Sequence, residues 1–240
     1  QKQVQNIVET KIQEFPAPIQ AAALVVERQT GNVKAYIGSN EYGSKERKGA
    51  NNFLTAVRSP GSTLKPLIYG KALQRNLIKF NEVFNDANFY RGGYNPTNFD
   101  NTYTGRVTLK EALLRSLNIP ALITLERLDP RIFEAELKNL INLPFFSDKE
   151  AGLSLAVGGF YLNAEQLASL YLMAIDPGTS GHISFSPNQS QKISDQDAKF
   201  LNIRAAEQIM HLLIQNLPNG ERVAFKTGTS FARHDAWSIQ

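Results

Sequence analysis

The 240-residue chain is 42% hydrophobic and 20% charged, which is ordinary globular usage and excludes wholesale disorder or a collagen-like rod. It has no cysteine, so disulfide scaffolds, thiolate zinc sites and cysteine nucleophiles are excluded. The formal charge of +4 is spread along the chain without basic runs, so no nucleic-acid partner is expected, only a mild bias toward anionic ligands.

In chain order, Val4, Ile7, Val8 and Ile12 recur at helical spacing, which predicts an amphipathic helix over 1–14, ended by Pro16 and Pro18. Residues 21–27 and 32–38 are β-rich and flank Arg28-Gln29-Thr30-Gly31, an antiparallel hairpin. Residues 39–58 read as irregular. Pro60-Gly61 introduces a helix from about Ser62 to Arg75. Residues 80–106 read as a long ordered loop. Thr108-Leu109-Lys110-Glu111 is a capping box, so a helix starts there and stops near Ser116. A second begins at Pro120, and further helices are expected over 131–141 and 163–175, the latter capped by Asn163. The Ser-, Gln- and Pro-rich stretch 178–197 reads as a loop. A helix over 203–217 follows, ended by Pro218-Asn219-Gly220, then strands over 221–230 and 235–240. Strands near both termini, brought into one antiparallel sheet flanked by helices, with a mainly helical lobe between them, give an α+β architecture. No apolar run nears the ~18 residues of a membrane span.

Ser62 and Lys65 lie three apart at a helix start, on one face. A serine hydroxyl is a weak nucleophile until a base takes its proton. Lysine can be that base only when neutral, so its pKa must fall from ~10.4 toward ~7–8, a differential of about 4 kcal/mol. Burial or a second cation must supply it. Taken alone, Ser-x-x-Lys occurs by chance about once in a chain of this length and reads first as a plain surface pair.

Ser116-Leu117-Asn118 falls in the tight link between two apolar helices. Such residues serve as caps, or as a proton relay (Ser116) and a holder of a substrate amide (Asn118). Ser186-Pro187-Asn188 has the same spacing but lies in the polar 178–197 stretch, without a rigid element to hold a site. Lys226-Thr227-Gly228-Thr229 follows an apolar strand. Glycine within a strand marks close approach of a ligand or another backbone, and lysine beside threonine hydroxyls suits a carboxylate. Lys226 is also the candidate second cation for Lys65. The plain alternative is an edge strand protected by Lys and Thr. His182, His211 and His234 are scattered without metal-ligand spacing, so neither a metal nor another cofactor is expected, and a serine–histidine triad is not either.

The order Ser-x-x-Lys, Ser-x-Asn, Lys-Thr-Gly is the signature of penicillin-binding proteins and class A β-lactamases. The chain resembles the transpeptidase domain of class A penicillin-binding proteins over about residues 20–240. Arg58-Ser59-Pro60-Gly61, Tyr94–Asp100, Val107–Leu113, Leu155–Gly159 and Asp235-Ala236-Trp237 carry that resemblance beyond the three motifs. It implies one domain over 1–240, with 1–20 as lead-in, and the family's last strand and terminal helix lying beyond Gln240. It implies a D,D-transpeptidase that cross-links peptidoglycan stem peptides and is acylated by β-lactams. Ser62 would be the nucleophile, Lys65 its base and Ser116 the relay. Asn118, Lys226, Thr227, Gly228 and Thr229 would bind substrate. An upstream glycosyltransferase domain, a membrane anchor and the periplasmic face of the inner membrane are implied for the full-length protein. The same motifs also serve serine β-lactamases, D,D-carboxypeptidases and non-enzymatic β-lactam sensors.

Overall fold

The computed structural model describes residues 1–17, 19–41, 43, 45, 49–91, 93–141, 150–175, 183–185, 200–230 and 234–240. The Ser186-Pro187-Asn188 alternative and most of the expected 178–197 loop lie outside them.

The elements in chain order are α1 (Lys2–Ile12), β1 (Ala23–Val26), β2 (Val33–Ile37), a 3-10 turn (Gly61–Leu64) running into α2 (Lys65–Gln74), β3 (Val83–Asp86), β4 (Gly105–Thr108), α3 (Leu109–Leu114), α4 (Asn118–Leu128), α5 (Pro130–Ile141), a second 3-10 segment (Gly152–Val157), α6 (Ala164–Ile175), α7 (Ile203–Leu213), β5 (Ile214–Asn216), β6 (Arg222–Ala224), β7 (Lys226–Thr229) and β8 (Ala236–Ile239). They form two compact units. One comprises Gln1–Arg58 with Leu162–Asp197, the other Ser59–Tyr161 with Ala198–Gln240.

In the first unit, β1 and β2 form the expected hairpin, from Ala23 opposite Ile37 to Val26 opposite Val33, with the register shifting by one residue between Val25 and Val26. Asn163 caps α6 as expected: its Oδ1 accepts the Gln166 N–H at 2.8 Å, and Gln166 Oε1 accepts the Asn163 N–H at 2.9 Å.

The second unit is built around α2, where every residue from Lys65 to Leu73 is buried. It packs against α4 and α7. Burial on all sides marks a central core helix, not a half-exposed one. The helix expected from Ser62 divides in two, with Ser62 on the 3-10 turn and the α-helix starting at Lys65. Pro66, in the first α-helical turn, fits where its missing N–H would have no partner in any case. The Thr108 capping box forms as expected. Thr108 Oγ1 accepts the Glu111 N–H at 3.2 Å, and Glu111 Oε2 accepts the Thr108 N–H at 2.7 Å.

Several expectations are corrected. Residues 80–106 are not all loop, because β3 and the start of β4 pair antiparallel from Val83 opposite Thr108 to Asp86 opposite Gly105. Only four residues pair on each side, and 18 residues separate the strands, too sparse a pattern to read. The helix starting at Pro120 begins two residues earlier, at Asn118. The 203–217 helix stops at Leu213, because Ile214–Asn216 pairs with Arg222–Ala224 across the Pro218-Asn219-Gly220 turn. The 221–230 strand is interrupted at Phe225, so β6 pairs with β5 while β7 pairs with β8. Among the described residues the strands form four two-stranded antiparallel ladders, and with the helices they make the expected α+β fold. Among the same residues, no helix is long and apolar enough to cross a membrane.

Candidate active site

Six segments of the second unit meet at the candidate site: the 3-10 turn, the first turn of α2, the α3–α4 corner, the 97–98 stretch, the Gly158 turn and β7. The 3-10 turn is held in place by its neighbours. Trp237 Nε1 donates to Ser59 O at 2.9 Å, and Ser59 Oγ donates to Gly158 O at 2.8 Å. Gly61 adopts φ +55°, and a Cβ there would lie 2.5 Å from Thr229 O and 2.7 Å from Thr229 N. Only glycine allows both that conformation and that approach. Gly228 plays the reciprocal part. A Cβ on it would press on Pro60 O and stand 2.8 Å from Thr63 Cγ2. The glycine of Lys-Thr-Gly thus seats β7 directly on the turn that carries Ser62.

Ser62 and Lys65 lie three apart where the 3-10 turn passes into α2, and the Lys65 N–H donates to Ser62 O, so the two residues share one face. The Lys65 amine is fully buried. Its Nζ donates to Ser116 O at 2.6 Å and to Asn118 Oδ1 at 2.7 Å. A neutral amine has two N–H groups and one lone pair. These two acceptors engage both N–H groups and leave the lone pair directed elsewhere. Burial first, and then the charge of Lys226, hold the Lys65 ammonium well below the ordinary lysine value.

Ser116 sits at the α3–α4 corner with φ +57°, a left-handed conformation that costs a side-chain-bearing residue about 1–2 kcal/mol. That twist turns its carbonyl to Lys65, while its hydroxyl accepts from Lys226 Nζ at 2.8 Å. Lys226 is 3% exposed and also donates to Thr227 O at 2.6 Å. Burial pushes its pKa down to about 8. It therefore keeps its charge at neutral pH, while Lys65 is disfavoured as a cation.

Asn118 opens α4. Its Nδ2 donates to Thr97 O at 2.7 Å, which leaves one amide N–H without a partner among the described residues. Its backbone N–H donates to Asn98 Oδ1 at 2.8 Å. Thr227 and Thr229 are exposed, alternating along β7 with buried Lys226 and Gly228.

Of the sequence-derived residues, Lys65, Ser116, Asn118 and Lys226 are joined by hydrogen bonds. Ser62 is placed by backbone geometry, and Gly228 and Thr229 by backbone packing. The Thr227 hydroxyl makes no hydrogen bond to the other site residues among those described. Sequence reasoning missed Thr97, Asn98 and Asp86, which support Asn118. Asn98 stands within the quoted Tyr94–Asp100 run, but nothing local distinguishes it from the other polar residues there.

Residues 21–143 match the penicillin-binding protein transpeptidase domain family. Penicillin-binding protein 1C of Escherichia coli (strain K12) is 32% identical over 245 residues, spanning 100% of this chain and 32% of that protein. Penicillin-binding protein 1F of Bacillus subtilis (strain 168) is 39% identical over 142 residues, 58% of this chain and 19% of that protein. The chain thus spans about a third or less of the length of these relatives. In fold it is similar to the penicillin-binding protein PonA1 of Mycobacterium tuberculosis, with a TM-score of 0.74 at 18% identity, covering 98% of this chain and 70% of that one. It is also similar to a peptidoglycan glycosyltransferase from Burkholderia ambifaria, with a TM-score of 0.73 at 23% identity, covering 97% of this chain and 81% of that one. The family matched is the one whose motif order the sequence carries, and the chain belongs to the penicillin-binding protein transpeptidase domain family.

Proposed function

We propose that this chain is a D,D-transpeptidase domain that cross-links peptidoglycan stem peptides through an acyl-enzyme on Ser62, and that β-lactams acylate the same serine. One observation carries the reading. The Lys65 amine is buried, its charged form is disfavoured by burial and by Lys226, and its Nζ donates to Ser116 O and Asn118 Oδ1. Its lone pair is then the acceptor for the proton of a hydroxyl one 3-10 turn away.

The extended donor peptide would lie along β7, whose described ladder has β8 on one side only. Its terminal carboxylate would meet the Lys226 charge and the Thr227 and Thr229 hydroxyls, while the second amide N–H of Asn118 would hold a peptide carbonyl. Ser62 Oγ attacks the carbonyl between the two terminal D-alanines as its proton passes to Lys65 Nζ. The backbone N–H groups of Ser62 and Thr229 would stabilise the oxyanion. The proton taken by Lys65 passes on through Ser116, whose oxygen is held by Lys226, to the leaving nitrogen; the C–N bond breaks and D-alanine departs, leaving an ester and a neutral Lys65. An amine from a neighbouring stem then attacks the ester and gives up its proton to the lysine–serine pair. An amide forms and Ser62 is restored. Neither a metal nor another cofactor is needed for these steps. In the full-length protein the domain would work on the periplasmic face of the inner membrane, beside a glycosyltransferase domain and an anchor.

Fluorescent penicillin followed by intact mass measurement tests the reading. A stable adduct on Ser62, absent in Ser62→Ala, supports it; no adduct, or one elsewhere, overturns it. An adduct lost rapidly to water indicates a β-lactamase. A soluble stem-peptide donor with an amine acceptor yields cross-linked product from a transpeptidase, hydrolysed donor from a carboxypeptidase and neither from a sensor.

A further inference from the structure

Behind Asn118 lies a buried polar chain that the proposed chemistry does not use. Asp86, at the end of β3, has no solvent exposure. Both its oxygens accept from Asn98 Nδ2, each at 2.9 Å, and Oδ2 also accepts the Thr104 N–H at 2.8 Å. Asn98 is itself buried, and its Nδ2 also donates to Thr102 O at 2.9 Å. The other end of that amide, Oδ1, accepts the backbone N–H of Asn118 at 2.8 Å. Asn118 Oδ1 in turn accepts from Lys65 Nζ.

From this chain we infer that Asp86 is a positioning residue for the candidate active site, setting Asn118, and through it Lys65, by fixing which way the Asn98 amide faces. The inference rests on the proposed function for its kinetic readout only.

The argument is one of donors and acceptors. An amide can be turned end for end at almost no steric cost, so its orientation is set by its partners. A carboxylate can only accept, and together with Thr102 O it compels the Asn98 NH2 to face it. Asn98 Oδ1 must then face α4, where the first N–H groups of a helix have no partner within the helix. An asparagine at 86 has the same shape but must present an NH2 to Asn98 Nδ2 or to the Thr104 N–H. If the Asn98 amide then turns, its NH2 meets the Asn118 N–H, donor against donor, and the start of α4 shifts. A buried network satisfied in only one arrangement specifies that arrangement.

The test is Asp86→Asn, compared with the parent in acylation by fluorescent penicillin and in amide hydrogen exchange. Displacement of Asn118 lowers the acylation rate by about 10- to 100-fold. In an Asn118→Ala background the same change alters the rate by less than about threefold, because residues acting through one another are not additive. Exchange of the Asn118 backbone N–H rises about tenfold, while that of Leu122, within α4, does not. Should Asp86→Asn fail to fold, Asn98→Ala, which keeps the carboxylate and its Thr104 contact, carries the same comparisons. Unchanged acylation, or effects of Asp86→Asn and Asn118→Ala that simply multiply, would overturn the inference. If the parent itself is not labelled, the proposed function fails, and the exchange of the Asn118 N–H still decides the role of Asp86.

Discussion

Replacing Gly228 with alanine probes the seating of β7 on the turn that carries Ser62. Gly228 does not have positive φ, so the perturbation is purely one of packing. The new Cβ would press on Pro60 O and stand 2.8 Å from Thr63 Cγ2, whereas carbon atoms rest about 3.5–4.0 Å apart. Neither neighbour yields easily. Pro60 O is backbone, and the Thr63 side chain is tied to it by a 2.9 Å hydrogen bond. Relief therefore moves β7 outward by about 1 Å. Overpacking of this kind costs about 1–3 kcal/mol of stability, and a displacement of ~1 Å at a reacting centre costs about a hundredfold in rate. Stopped-flow acylation by a fluorescent penicillin, with urea unfolding in parallel, measures both. A folded Gly228→Ala protein acylated within about threefold of the parent refutes the claim that this contact sets the cleft.

The pH dependence of acylation is expected to be bell-shaped. The rate rises as Lys65 loses its proton, with its pKa held down by burial and by Lys226, and falls as Lys226 loses its own near pH 8. In Lys226→Met the alkaline limb disappears and the acid limb moves up; a retained limb near pH 8 contradicts the assignment. Stability carries the same signature. Between pH 8 and 10 an unfolded Lys226 binds more protons than the native one, so its contribution favours folding increasingly as pH rises, by about 2–3 kcal/mol. The stability difference between the parent and Lys226→Met, from urea midpoints at the two pH values, should move by that amount in the parent's favour. Above pH 10, Tyr69 works in the opposite direction, because burial holds its hydroxyl proton well above the ordinary tyrosine value. At Ser116, with φ +57°, Gly is expected to be about 1 kcal/mol more stable than Ala by urea unfolding, although both lack the hydroxyl. Ala equal to or better than Gly would mean that the corner is not left-handed.

The candidate site residues are legible because the proposed chemistry is carried by short motifs: Ser62 with Lys65, Ser116 with Asn118, and Lys226 beside Gly228. Where they meet depends on backbone features that leave little trace in the sequence. Nothing local distinguishes a 3-10 turn at Ser62 from the first turn of a helix, yet the difference sets how Ser62 lies relative to Lys65. The left-handed Ser116 is invisible too, since serine carries no preference for that conformation. Asp86 and Asn98 were missed because their significance is long-range. Each is an ordinary polar residue in a stretch that reads as loop, and only the β3–β4 pairing brings Asp86 beneath Asn98. The sequence pattern reads as a helix over 203–217, but the helix ends at Leu213, because the hairpin across Asn219-Gly220 competes for Ile214–Asn216. The Thr108 box, by contrast, is a wholly local signal and forms as read.

Direct titration of the Lys65 ε-amine by NMR, with selectively labelled lysine in the full chain, bears most closely on the account. A midpoint well below the ordinary 10.5, moving up when Lys226 is replaced by methionine, is the result predicted. A Lys65 that titrates at or above 10.5, indifferent to residue 226, would mean that it is a cation at neutral pH and no base for Ser62.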